Sequence, residues 1–245
     1  AFVMNRIGDL GFLLGLFFII QQFGSLTYSE VFANAQGTDT AILTVITLLL
    51  FVGATGKSAQ IPLYTWLPDA MEGPTPASAL IHAATMVAAG VFVGVRVFDI
   101  TGPETHLFMG IIGAISFLAG AVFALFQNDI KKTLAYSTIS QLGLMWMGMG
   151  SDASLFHLLT HGIFKAGLFL AAGAVIHTVH SQSLNDMGGL RKKIPVAAWA
   201  YLIFGAGLMG LPFTGGFFSK ENIAGYLYAN EQFELLGVLG VGMVL

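Results

Sequence analysis

Runs of about 20 apolar residues recur along the whole chain, the length that crosses a ~30 Å hydrocarbon layer at 1.5 Å of rise per residue. Inside that layer every backbone N–H and C=O must be satisfied within the protein, which leaves helices or a closed β-barrel. The alternation over ~10-residue segments that marks barrel strands is absent. The sequence therefore predicts an all-α, polytopic membrane protein with about eight transmembrane helices. Only 9% of its 245 residues are charged, against roughly 25% in a soluble domain.

The predicted spans fall at residues 2–23, 40–56, 77–98, 106–127, 133–150, 154–176, 195–221 and from 233 onward. Polar loops at residues 25–38 and 181–193 separate some of them. If the spans alternate, Arg6, the Lys131–Lys132 turn and the Arg191-Lys192-Lys193 loop all lie on one side, and Arg96 is almost alone on the other. The positive-inside rule makes the first side cytoplasmic or its equivalent. Both ends of the sequence fall within apolar runs, which reads as a piece of a longer chain.

His157, His161 and Lys165 are spaced four apart, so on a helix they form one polar stripe rising about 12 Å. Each intramembrane cation costs roughly 2.5–3.5 kcal/mol on insertion scales, and such residues mark ion paths and proton relays. The alternative is that the histidines only hydrogen-bond neighbouring helices. Lys57 and Lys220 each sit beside a cluster of glycine and proline: Gly53, Gly56, Pro62, Pro68, Pro74 and Pro76 around the first, and Gly210, Pro212, Gly215 and Gly216 before the second. Those clusters predict two broken helices, and paired breaks in membrane helices point to ion sites. The alternative for each lysine is a side chain reaching the membrane surface from an ordinary helix end.

Burial disfavours a charged amine and a nearby carboxylate favours it, so a buried lysine responds to its neighbours by losing or gaining a proton. Histidine suits the intermediate steps. The residues thus suggest a row of Lys57, His82, then Lys165 with His161 and His157, then Lys220, the three lysines being buried. Thr160, Ser58 and Gln60 are available to hold bridging waters; the alternative is that, as polar residues near breaks, they are ordinary packing groups. Arg6 and Asp9, three residues apart, are placed to pair.

Other chemistries find little support. The chain has no cysteine, hence no disulfide, thiolate metal site or iron–sulfur cluster. Gly56-Lys57-Ser58 resembles a phosphate-binding loop, but the required earlier glycine is Phe51 and no strand precedes it. His157 and His161 have zinc-pair spacing, yet Glu does not follow His157 and no further ligand stands out. No basic tract suggests nucleic acid, and no signal peptide is evident.

The stretch from Thr55 to Gly90, containing Gly56-Lys57-Ser-Ala-Gln-Ile-Pro62 and Ile81-His82-Ala-Ala-Thr-Met-Val87, resembles the antiporter-like membrane subunits of respiratory complex I, NADH–quinone oxidoreductase, of the subunit L or subunit 5 type. Gln127 through Gly143, the His157/His161/Lys165 helix and Gly216-Phe-Phe-Ser-Lys220 are similar to the same family, in the family's order. The resemblance implies two inverted five-helix repeats, with residues 1–98 holding the last three helices of the first and residues 106–245 the second, its last helix truncated. It matches Lys57, Lys165 and Lys220 to the family's channel lysines, His82, His157 and His161 to the connecting axis, and Arg6 and Asp9 to a flanking charged pair. A glutamate partner of the first lysine and a long lateral helix are expected outside the sequence.

The implied function is proton translocation driven by quinone reduction elsewhere in the complex. No cofactor is expected in this chain; NADH, FMN, iron–sulfur clusters and quinone belong to other subunits. Expected partners are the bilayer and other complex I membrane subunits, above all a neighbouring antiporter-like subunit. The expected location is a bacterial inner membrane, with mitochondrial inner and thylakoid membranes as alternatives. Two rival readings are the large subunit of a multisubunit sodium/proton antiporter and a purely structural role in which the lysines pair carboxylates.

Overall fold

The computed structural model describes residues 1–244. The described residues form α-helices and short 3-10 turns: α1 (Phe2–Phe23), α2 (Tyr28–Ala35), α3 (Thr40–Lys57), α4 (Trp66–Asp69), α5 (Thr75–Ala83), α6 (Met86–Val97), α7 (Pro103–Leu125), α8 (Ile130–Met147), α9 (Asp152–Val179), α10 (Pro195–Met209), α11 (Gly215–Ala229) and α12 (Phe233–Val244). Among the described residues, α1, α3, α5 with α6, α7 and α9 are long and apolar enough to cross a membrane, and α10 and α12 are shorter apolar helices. The eight predicted spans correspond to α1, α3, α5–α6, α7, α8, α9, α10–α11 and α12. The expected end of the last span at Leu245 lies outside the described residues.

Two helix breaks fall where glycine and proline cluster. After Lys57 the chain leaves α3, and the Gly56 carbonyl accepts from the Trp66 indole at 2.9 Å. After α10, Gly210 takes a left-handed φ of 78°, a conformation that costs glycine nothing because it has no Cβ, and α11 begins at Gly215.

A third break was not predicted. The span expected at residues 77–98 is divided between α5 and α6 at Ala84 and Thr85. Thr85 has φ −109° and ψ −90°, and its hydroxyl and amide both donate to the Leu80 carbonyl, at 2.9 and 3.2 Å. A threonine hydroxyl offers the backbone an alternative to the helical ladder, and no glycine or proline marks the place. The loop expected at residues 25–38 also contains a helix, α2.

α8 lies at the centre of the bundle. It packs against α7, α9, α4, α6 and α11, and its residues from Thr138 to Met147 are all buried. Its crossing with α7 depends on small residues: a Cβ on Gly113 would come within 2.6 Å of the Gly143 carbonyl oxygen. Close backbone approach of this kind is how membrane helices gain packing contacts without a hydrophobic driving force between them.

The turn before α8 pairs with the loop after α9, Ile130 N–H donating to Gln182 and Leu184 N–H to Asn128, at 3.1 and 2.7 Å. That contact puts the Lys131–Lys132 turn and the loop leading to Arg191-Lys192-Lys193 on the same side of the bundle, as the charge pattern predicts.

Candidate functional site: a buried polar axis on helix α9

The stripe on α9 faces inward. His157, His161 and Lys165 are wholly inaccessible to solvent, although the helix also presents Leu159, Ile163 and Leu170 outward. Four-residue spacing keeps the polar side chains on one face, and α8, α11 and α5 supply what they meet.

Lys165 donates from Nζ to the Leu134 carbonyl at 2.9 Å and to Ser137 Oγ at 2.5 Å. The same Leu134 carbonyl accepts from the Thr138 hydroxyl at 3.0 Å, and Thr138 Oγ1 lies 3.0 Å from His82 Nδ1. His82, fully buried, is thereby linked to Lys165 through one hydroxyl and one carbonyl of α8. Further along α9, His157 has Nδ1 at 2.7 Å from Ser219 Oγ and Nε2 at 3.1 Å from Gln141 Oε1. The His157 and His161 ring centroids are 6.4 Å apart.

Lys220, on α11, is buried and donates to the Leu208 carbonyl at 2.7 Å. That carbonyl is free because α10 ends at Met209 and the left-handed Gly210 turns the following N–H groups back to Ala206 and Gly207, and the next residues cannot restore the ladder. Its ordinary helical donor would be residue 212, which is Pro212 and has no N–H. The break that ends α10 thus supplies the acceptor for the lysine that follows it.

Lys57 differs from the expectation. Its side chain is 35% exposed, and it pairs with Asp9 at 2.9 Å, while Arg6 pairs with the same carboxylate at 3.5 Å. The lysine projects from the last residue of α3 toward α1, leaving it at the edge of the bundle rather than inside. Its hydrogen bonds do not join those of His82 and Lys165. Among the described residues these are the two ion pairs, so Lys165 and Lys220 have no carboxylate within pairing distance.

The polar residues proposed as water holders divide. Thr160 donates to the His157 carbonyl at 3.0 Å and lies 3.2 Å from Ser219 Oγ. Ser58 and Gln60 are fully buried beside the first break: Ser58 donates to Val87 and Gln60 to Ser58, each at 2.9 Å. Both ring nitrogens of His161, Nε2 of His82 and Oε1 of Gln60 have no hydrogen-bond partner among the described residues. Buried polar atoms are nearly always hydrogen-bonded, and internal water is the usual partner where protein atoms are not.

Sequence reasoning missed Ser137, Thr138, Gln141 and Ser219, which contact the lysine and histidines directly. It also counted Lys131 only as a loop charge. Lys131 is buried, with Nζ donating to the Met71 carbonyl and, at 2.7 Å, to that of Gly73. The available signal for the α8 group was its polarity, since Ser137, Thr138, Ser140 and Gln141 crowd one membrane-length helix.

A helical membrane protein with broken helices and a row of buried lysine and histidine defines a class, the antiporter-like subunits of ion-translocating membrane complexes. The family model described as NADH:quinone oxidoreductase/Mrp antiporter, TM, matches residues 1–245, and the chain belongs to this family. It is 49% identical to NADH-quinone oxidoreductase subunit L of Rickettsia felis over 95% of this chain and 38% of that protein. The chain thus spans about two fifths of the length of the curated relatives it matches. Among solved structures, the Mrp complex from Dietzia sp. superposes with a TM-score of 0.90 at 32% identity, over 98% of this chain and 28% of that one. The archaeal membrane-bound sulfane sulfur reductase, a respiratory membrane complex, gives 0.92 at 25% identity, over 99% of this chain and 52% of that one.

Proposed function

We propose that this chain is part of a proton-translocating membrane subunit of NADH–quinone oxidoreductase, in which buried lysines and histidines pass protons while quinone reduction elsewhere in the complex drives them. The observation that carries this reading is Lys165: wholly buried, without a carboxylate partner among the described residues, and on the same helix face as His161 and His157. Burial without an ion pair is shared by Lys131; what sets Lys165 apart is the helix face it shares with two buried histidines. An ammonium held by one carbonyl and one hydroxyl suits a group that gives up its proton and takes it back.

In this reading Lys165 is the central station, with His82 on one side and His161 and His157 leading toward Lys220 on the other. Lys57, with Asp9 and Arg6, is a separate station at the first break. Residues 1–98 are the last three helices of one five-helix repeat and residues 106–245 the second, a division supported by the matching breaks beside Lys57 and before Lys220. The chain is a non-redox component, with NADH, FMN, iron–sulfur clusters and quinone bound by other subunits. Its partners are other membrane subunits, including a neighbouring antiporter-like one, and bacterial relatives support a bacterial inner membrane.

The sodium/proton antiporter reading draws support from the Mrp superposition. Identity near 49% to subunit L, against 32% to the Mrp chain, favours the oxidoreductase. Vesicles containing the intact complex test both. Lys165→Ala and Lys220→Ala are expected to assemble normally and to translocate fewer protons per NADH. Poor assembly with a normal proton ratio in what assembles would support the structural role instead, and proton movement driven by a sodium gradient without NADH would support the antiporter.

A further inference from the structure

The start of α10 carries positive charge and an apolar groove side by side. We propose that this groove, between α9 and α10, is a binding site for an anionic phospholipid, with the phosphate on the Arg191-Lys192-Lys193 loop and an acyl chain lying between the two helices. The site is separate from the proton path and stands whether or not that reading holds.

The loop supplies the charge. Residues 181–193 hold three cations against one carboxylate, Asp186, which already accepts from the Ser181 hydroxyl at 2.5 Å. Arg191, Lys192 and Lys193 are all exposed, and none belongs to the two ion pairs among the described residues. Arg191 lies over the Trp199 ring, 5.1 Å from its centroid, which keeps the guanidinium beside the first turns of α10. Tryptophan settles at the level of lipid head groups, so ring and cation together mark that level. By the charge pattern this side faces the cytoplasm or its equivalent. That leaflet carries anionic lipid, and each lysine or arginine near it favours association by roughly fivefold.

The groove begins at the next residue. Ile194, Pro195 and Val196 form its mouth, and it continues to Phe204 on α10 and from Ala174 to Ile163 on α9, with a volume of about 850 Å³ and no polar side chain in its lining. The lining residues of α9 recur three and four apart, so they form one helix face. A close helix contact makes the floor: a Cβ on Gly167 would collide with the Phe204 ring. The two helices therefore touch at the bottom of the trough and part toward the lipid.

Length decides between occupants. From Ile194 to Phe204 the helix rises about 15 Å at 1.5 Å per residue, half of a ~30 Å hydrocarbon layer. The groove thus runs from the charged loop to mid-membrane, the depth of one leaflet. A spanning helix from a partner would be met by only half its length. A lipid needs this arrangement as it stands: apolar walls for a chain, and at their outer end cationic donors for a phosphate, which accepts strong charge-assisted hydrogen bonds from arginine and lysine.

Photoreactive lipids in vesicles containing the intact complex test this. Phosphatidylglycerol and phosphatidylcholine probes carry the same diazirine-labelled acyl chain and differ only in head group. Phosphatidylglycerol is expected to label residues 163–174 and 194–204 at least fivefold more than phosphatidylcholine, a comparison that needs no substitution. The triple variant Arg191→Gln, Lys192→Gln, Lys193→Gln should bring the two yields within twofold of each other. Ala174→Trp, at an exposed position in the groove, should cut phosphatidylglycerol labelling severalfold. Equal labelling by both head groups in the wild-type complex would reveal ordinary boundary lipid and overturn the site. Labelling by neither would show that a protein segment covers the groove, and an undiminished preference in the triple variant would show that other groups hold the phosphate; each overturns the proposal.

Discussion

Lys220 donates from Nζ to the Leu208 carbonyl at 2.7 Å, the acceptor that Pro212 leaves without a helical donor. The break and the lysine are therefore one device. Pro212 lies in the turn past Gly210, and Pro212→Ala adds a backbone N–H able to compete for that carbonyl and lifts the bar that proline sets on extending α10. The expected outcome is a complex at least as stable to heat as wild type, with proton translocation reduced severalfold because Lys220 has lost its fixed acceptor. Lys220→Met, which leaves the buried carbonyl unsatisfied, should lower stability by about 1–3 kcal/mol. Thermal unfolding and vesicle acidification, measured side by side, separate the two.

The α7–α8 crossing predicts a sharp difference between two glycines. A Cβ on Gly113 would come within 2.6 Å of the Gly143 carbonyl oxygen, whereas one on Gly225 of α11 would meet nothing within 4 Å. Gly113→Ala is expected to destabilise by about 1–3 kcal/mol through overpacking. It should also depress translocation, since α8 presents Leu134, Ser137, Thr138 and Gln141 to the histidines and Lys165. Gly225→Ala should be neutral or stabilising by about 0.5–1 kcal/mol, the usual gain in a helix interior. Denaturation midpoints of the two variants check this.

Much of this arrangement was legible because its causes are local. Spacing alone put His157, His161 and Lys165 on one face, and proline with glycine announced the breaks beside Lys57 and before Lys220. What was not legible depends on contacts distant in sequence. Nothing in residues 137–141 says which helix their hydroxyls and amide will meet, since serine and threonine in a membrane helix more often bond their own backbone. Asp9 read as a partner of Arg6 from three-residue spacing, and its shorter contact to Lys57 exists only because α1 packs on α3. The Thr85 break was silent for a different reason: a threonine hydroxyl capturing the Leu80 carbonyl is one of two conformations open to that side chain, and packing selects between them.

Adjacent lysines should behave unlike each other. Lys131 is buried with two backbone carbonyls on its ammonium, and those carbonyls belong to the segment just after α4, so the side chain ties the region of the first break to α8. Lys131→Met should lower stability by about 1–3 kcal/mol by leaving buried acceptors unpaired. Lys132 is only partly buried, and Lys132→Met is expected to stay within about 0.5 kcal/mol of wild type. Protease resistance of residues 58–74 in the membrane-embedded complex gives a local readout, with only Lys131→Met increasing cleavage there.

Asp9 separates stability from function. It bridges Arg6 and Lys57, but the carboxylate and the Lys57 side chain are each about one-third exposed, and solvent-screened pairs contribute roughly 0.2–1 kcal/mol. Asp9→Asn should therefore change the unfolding temperature little, because the amide still fills the same volume and accepts a hydrogen bond from the lysine. The counter-charge, however, is lost entirely. If Lys57 carries a proton during turnover, removing the carboxylate that pairs with it alters how readily that lysine holds and releases it. Translocation should fall by severalfold at nearly unchanged stability, and Asp9→Glu, which keeps the charge on a longer side chain, should recover part of it. A variant that lost stability and translocation in proportion would mark Asp9 as a packing residue, and one that lost neither would remove Lys57 from the proton path.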